Sequence, residues 1–215
     1  MSPALVGPSA GLAELLGAVA TALIAEADAL NRLDAVAGDG DLGITATAAA
    51  RAVIEIAPEV AALPTGEALR RIGTEIARRA PSTGGTLVAF AFLAASKVDV
   101  PDGSPPAAEA TLRMAAADGA IRQRGRVDLG AKTMVDALAP AVEAWDRAIT
   151  DGGSSRFAAE AAARAGDAGA QATQSMGATV GRAGWLADRS QGHEDAGARM
   201  VAVALRAAAR HLARG

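Results

Sequence analysis

The chain contains no cysteine, and aromatic side chains make up only 2% of its 215 residues. Without cysteine there is no disulfide scaffold, no thiolate metal site and no cysteine nucleophile, and the expected location is cytoplasmic. The aromatics are Phe90, Phe92, Trp145, Phe157 and Trp185, too few and too scattered for a base-stacking platform. Charge of neither sign dominates: 21 basic and 24 acidic residues are mixed along the chain, for a net charge of −3. No basic stripe is present, so nucleic acid is not an expected partner. No 18-residue window is apolar and free of charge, and the first residues lack a basic stretch. Neither a membrane span nor a signal peptide is expected. His193 and His211 are the only histidines and lie far apart in sequence, which leaves zinc without ligands. Both read as idle, one in a loop and one on the last helix.

What remains is a chain of a size for one domain, residues 1–215, long enough to bury roughly 70% of its unfolded surface. Alanine, leucine, glutamate and arginine dominate, so helix propensity is high almost throughout. Leu12, Leu15, Leu16, Val19, Leu23, Ala27 and Leu30 recur at helical spacing and predict a first helix over 11–31. Further helices are predicted over 43–58, closed by Pro58, and over 65–79, opened by Thr65 with Glu67 in its first turn and stopped by Pro81. Segments near 84–98, 105–123, 131–149, 154–176 and 196–213 complete a set of eight. No stretch alternates in the manner of a strand. The expectation is an all-α up-and-down bundle, in which alternate loops fall at the same end and are able to share a ligand.

Three breaks carry more glycine, hydroxyl and charge than a connector needs: AGDGDLG, PSTGG and GRAGWLADRSQGHEDAG. The first places Asp34, Asp39 and Asp41 within eight residues, with no base after Arg32. Three carboxylates at one turn repel unless a cation joins them. They offer only oxygen, which suits a hard ion such as Mg2+, or a pair of them, whose shells are completed by water and phosphate. The competing reading is structural: Asp34 caps a turn and Asp41 is the N-cap of the next helix. Spacing alone leaves both open. Gly38, Gly40 and Gly43 spell G-x-G-x-x-G, but a helix precedes them and aspartates fill the variable positions, so the dinucleotide reading fails. An EF-hand also fails, for want of the distal glutamate.

Ser82-Thr83-Gly84-Gly85 precedes an apolar helix and is able to bind an anion through hydroxyls and free N–H groups, although taken alone it reads better as an ordinary cap. No G-x-x-x-x-G-K-[ST] occurs, so a P-loop is excluded. Lys132, in the first turn of another predicted helix, reads as solvated, and Met134 as core.

Taken in order, LDAVAGDGDLG (33–43), STGGT (82–86), GAKTMVDALAPA (130–141) and GRAGWLADRSQGHEDAGA (181–198) resemble the nucleotide-binding subunit of dihydroxyacetone kinases, the L-type or Dak2 domain family. The resemblance covers essentially the whole chain. It implies a barrel-like bundle of eight antiparallel helices with ADP or ATP at one end, and Mg2+, as two ions, on Asp34, Asp39 and Asp41. It further implies phosphate contacts at Leu42, Gly43, Ile44 and Thr45 and at Ser82 and Thr83. Gly125, Met134 and Arg182 would meet the nucleoside, with Asp195, Ala196 and Gly197 closing the site. The implied activity is phosphoryl transfer to a small ketose held by a ketose-binding partner subunit. ATP, or a phosphotransferase-system phosphocarrier acting on retained ADP, would be the donor. Three positions depart from the family pattern: Leu42 replaces a histidine, Ala131 an aspartate and Ala196 a proline; the turn around Gly85 is altered as well. Leu42 removes a phosphate-directed donor and favours an alternative, a non-catalytic nucleotide-sensing or regulatory module.

Overall fold

The structure, a computed structural model, describes residues 7–180 and 190–214. Among the described residues it is all-α, with nine helices rather than eight. They are α1 (Ala10–Ala25), α2 (Ala27–Asp34), α3 (Leu42–Ala61), α4 (Thr65–Arg79), α5 (Thr83–Ser96), α6 (Pro106–Gly125), α7 (Val135–Thr150), α8 (Ser155–Ala172) and α9 (Ala196–Leu212). A 3-10 turn, Thr173–Ser175, ends α8. No single helix among them is long and apolar enough to cross a membrane.

The extra helix comes from the predicted first one, which breaks at Glu26 with a bend of 58°. No glycine or proline marks the place, so hydrophobic spacing runs through it unbroken. The bend lays α2 across the start of α3, where Asn31 receives backbone N–H groups of α3. Pro58 does not close α3, contrary to expectation; the helix continues to Ala61. Proline there removes the donor to the Ile54 carbonyl. Both Ile54 and Pro58 lie on the exposed face, where the freed carbonyl is open to solvent. Helix α7 begins at Val135 instead of 131, because Gly130 (φ 87°) and Lys132 (φ 60°) both adopt left-handed backbone conformations that no helix accepts.

Each helix from α3 to α8 packs against its successor, and α1 packs against both α3 and α9, so the order of neighbours returns on itself. The core is built largely of alanine, with Leu30, Val60, Ile72, Ile76 and Val135 as the largest fully buried apolar side chains. Small side chains let helices approach closely; at Gly169, α8 lies directly on the backbone of α7 at Asp136. On α4 the buried carboxylate of Glu75 is held well below its usual range, at about 2, by hydrogen bonds from Arg78, Arg71 and Arg79. The alternation of direction brings four connections to one end: 35–41, 80–82, 126–134 and the segment before α9.

Candidate functional site

The acidic loop starts from Asp34, the last residue of α2. Its Oδ2 accepts the N–H of Gly40 at 2.8 Å and that of Asp41 at 3.1 Å, so Asp34 does cap the turn. Gly40 sits at φ 76°, a conformation costly for any side-chain-bearing residue. Asp41 occupies the N-cap position of α3, yet its side chain makes no capping bond. Oxygens of Asp34, Asp39 and Asp41 all lie within 4.8 Å of one another. Two of the three side chains are exposed and one is partly buried, leaving open directions for water or phosphate. An all-carboxylate set of this kind fits a hard divalent cation such as Mg2+, which takes few protein ligands and keeps the rest of its shell.

This loop forms the mouth of a cavity of about 1210 Å³, ample for a nucleotide-sized ligand. The N-terminal turns of α3, α5 and α9 and the residue before α7 all reach its wall, at Leu42, Thr83, Ala196 and Met134. Helix N-termini present unpaired N–H groups and positive dipole ends, which favour an anion. On α5, Ser82 Oγ accepts the N–H of Gly85 at 3.0 Å, leaving those of Thr83 and Gly84 without helical acceptors. Ser82 is therefore a cap and part of the cavity wall at once. Part of the remaining wall is apolar, where Leu42, Leu87, Ile121, Val127 and Met134 belong to one packed cluster, and Arg124, Lys132 and Glu194 also line it. Leu42 lies against Gly84, between the acidic loop and the α5 turn.

Lys132 corrects the expectation of a solvated side chain, being only 4% exposed. Its ammonium donates to the carbonyls of Thr173 (2.6 Å) and His193 (2.7 Å), joining α7's entry turn to the end of α8 and to the segment before α9. His193 is thus exposed as a side chain but engaged through its backbone. Burial pushes the Lys132 pKa down, and Asp195 opposes that shift. Asp136, also buried, accepts the N–H groups of Gly130 (2.5 Å) and Thr133 (2.7 Å) and fixes the turn that carries Lys132. Asp195 caps α9 through the Ala198 N–H at 2.7 Å, and its own N–H donates to Thr173 Oγ1 at 2.8 Å. Burial pushes the Asp195 carboxyl up to about 6; the Ala198 N–H and Lys132 hold it from rising further. Arg199 forks onto Glu194 and reaches Asp167 on α8, so the cavity wall before α9 is tied down from three directions.

Most of the sequence-predicted residues meet at this cavity: Asp34, Asp39, Asp41, Leu42, Thr45, Ser82, Thr83, Gly125, Met134, Asp195, Ala196 and Gly197 line it. Gly43 and Ile44 do not. Gly43 is buried under α2, Ile44 is 64% exposed, and the N–H groups of both are taken by Asn31. Arg182 lies outside the described residues. Sequence reasoning passed over Asn31, Asp136 and Thr173. Nothing local announces them, since their bonds join segments distant in the chain or turns without a recognisable pattern.

The fold is all-helical among the described residues, and it holds a cavity with an acidic mouth reached by several helix N-termini. Residues 36–210 match the model of the DAK2 domain, and the chain belongs to that family. It is 32% identical, over 82% of its length, to the ADP-binding subunit DhaL of the PEP-dependent dihydroxyacetone kinase of Escherichia coli, covering 84% of that subunit. It is also 35% identical to D-erythrulose kinase of Mycolicibacterium smegmatis across 92% of its own length, but spans only 34% of that enzyme. The solved dihydroxyacetone kinase of C. freundii superimposes with a TM-score of 0.74 at 26% identity, covering 98% of this chain and 36% of the other. The same kinase in complex with AMP-PNP and Mg2+ gives a TM-score of 0.73.

Proposed function

We propose that this chain binds ADP or ATP through Mg2+ and is the nucleotide-binding subunit of a kinase whose small ketose substrate is held by a partner subunit. The observation that carries the reading is the convergence of three aspartates at the mouth of a cavity whose walls are helix N-termini and an apolar cluster. A nucleotide has the complementary parts: phosphates for the ion and N–H groups, a base and ribose for the apolar wall. The naming of one relative as an ADP-binding subunit and the AMP-PNP and Mg2+ complex of another support it.

In this reading Asp34, Asp39 and Asp41 hold the metal, with three carboxylates sufficing for two ions. Bound there, Mg2+ supplies neutralisation of the charge that develops on the transferring phosphoryl group. Thr45, Ser82 and Thr83 face the phosphates, together with the α9 N-terminus at Asp195, Ala196 and Gly197. Gly125 and Met134, with Arg182, meet the nucleoside. Among the described residues none is assigned as a general base, and in this reading positioning and electrostatics carry the catalysis. This chain matches about a third of the longer relatives, whose remaining length has room for an acceptor site that a partner subunit would supply here. The apolar Leu42 at the cavity wall favours a second reading, a nucleotide-sensing module without transfer.

The test mixes the chain with a ketose-binding subunit and dihydroxyacetone or erythrulose, adding either ATP or a phosphorylated phosphotransferase-system carrier. Formation of the ketose phosphate with one of the two donors is expected, and native mass analysis then shows whether ADP stays bound through turnover. Tight nucleotide binding without ketose phosphate from either donor would replace the kinase reading with the sensing one.

A further inference from the structure

Asp41 stands where a helix cap belongs and does not cap. Three other helices begin after a residue with extended backbone whose side chain accepts an N–H: Ser82 (ψ 173°), Ser154 (ψ 159°) and Asp195 (ψ 130°). Asp41, at φ −115° and ψ 5°, lacks that geometry and makes no such bond. The first N–H groups of α3 are satisfied from another helix instead. Asn31 Oδ1 on α2 accepts the N–H of Gly43 at 2.7 Å and that of Ile44 at 3.3 Å. Its amide orientation follows from chemistry, because only the oxygen is able to accept from two N–H groups. Glycine at 43 permits the approach: a Cβ there would lie 2.8 Å from Asn31 Oδ1 and would overlap the Ala27 carbonyl.

We infer that Asn31 is a positioning residue for the aspartate cluster: by capping α3 from α2, it releases the Asp41 carboxylate to face Asp34 and Asp39. An aspartate after a turn and before a helix ordinarily folds back on the N–H groups two or three residues on. Were it to do so here, the cluster would fall to two carboxylates. Asn31 takes those N–H groups with a neutral oxygen, so the helix is capped and the charge stays at the mouth. The bend at Glu26 is what brings Asn31 to this place, giving the broken first helix a purpose in the site.

The inference rests on the metal reading above, and the experiment separates the two. Mn2+ alone, a hard ion with the same oxygen preference as Mg2+, is titrated into the full chain without nucleotide. Wild type is expected to bind it. Asn31→Ala is expected to bind at least about 10-fold more weakly, in line with losses seen when a group behind a metal ligand is removed. Asn31→Asp, which keeps an oxygen acceptor of the same shape, restores binding.

A second arm uses thermal melting in EDTA and involves no metal. Asp41→Ala is expected to leave the wild-type Tm unchanged or raise it. In the Asn31→Ala background, where Asp41 swings in as the cap, it lowers the Tm by roughly 2–4 °C. Equal Mn2+ affinity for wild type and Asn31→Ala, or the same Tm change from Asp41→Ala in both backgrounds, would overturn the positioning role. Absence of Mn2+ binding to wild type would instead overturn the metal reading, with the melting arm still deciding which residue caps α3.

Discussion

Asp39→Ala weakens binding of ADP in the presence of Mg2+ by on the order of 100-fold, while the ligand-free chain melts within a degree or two of wild type. The size follows from Coulomb attraction: two unit charges at 4 Å gain about 4 kcal/mol at an effective dielectric constant near 20. A divalent ion gains more, and water entering the vacated position returns part of it. A net loss of about 3 kcal/mol corresponds to a factor of roughly 100 in Kd. The choice among the three aspartates matters. Asp34 also accepts the Gly40 and Asp41 N–H groups, so its removal disturbs the turn as well as the cluster. Asp39 is exposed, where substitutions usually change stability by about 0.5 kcal/mol or less. Calorimetry with Mg-ADP on both proteins measures the difference; unchanged affinity would show that the cluster holds no bridging ion.

Lys132→Ala is the substitution expected to cost most in folding. Lys132 is 4% exposed, and its ammonium satisfies two backbone carbonyls, those of Thr173 and His193. Its removal strands one buried and one partly buried acceptor, for a loss of about 3 kcal/mol after relief of the lysine's own desolvation. In a chain of this size that lowers the Tm by roughly 6–12 °C. Lys132→Gly separates side chain from backbone. Since Lys132 holds φ 60°, glycine recovers about 1 kcal/mol of backbone strain relative to alanine while losing the same hydrogen bonds. The order expected in thermal melting is therefore wild type, then Gly, then Ala. ADP affinity falls in both variants, because Thr173 also holds the Asp195 N–H that positions the start of α9. An Ala variant melting with wild type would mean that water replaces the ammonium at no cost.

Both effects sit at places where the sequence is legible to different depths. The acidic loop announces itself because its information is local: glycines and aspartates packed into a few residues have little other use. Whether Asp34 and Asp41 are ligands or caps is not local. What caps α3 is Asn31, on an apparently continuous helix, turned onto α3 by a bend at Glu26 that neither glycine nor proline signals. Lys132 reads as solvated for the same reason, since its two acceptors stand 41 and 61 residues away in the chain. Helix order was readable from spacing, the count missed the break in the first helix, and errors fell where a local rule met its tertiary exception. Pro58 is tolerated because its face is exposed, and α7 starts late because two residues before it hold positive φ. The family resemblance supplied the grouping of loops that periodicity could not. Even so, it included Gly43 and Ile44, whose N–H groups the structure commits to Asn31.

The central claim is that nucleotide binds here through a metal held by the aspartate cluster. The most direct measurement is calorimetric titration of ADP into the wild-type chain, once with Mg2+ and once with EDTA. The account predicts tight binding with Mg2+ and a loss of at least about 100-fold without it, the same factor expected for removing a ligand carboxylate. Equal affinity under the two conditions would contradict it.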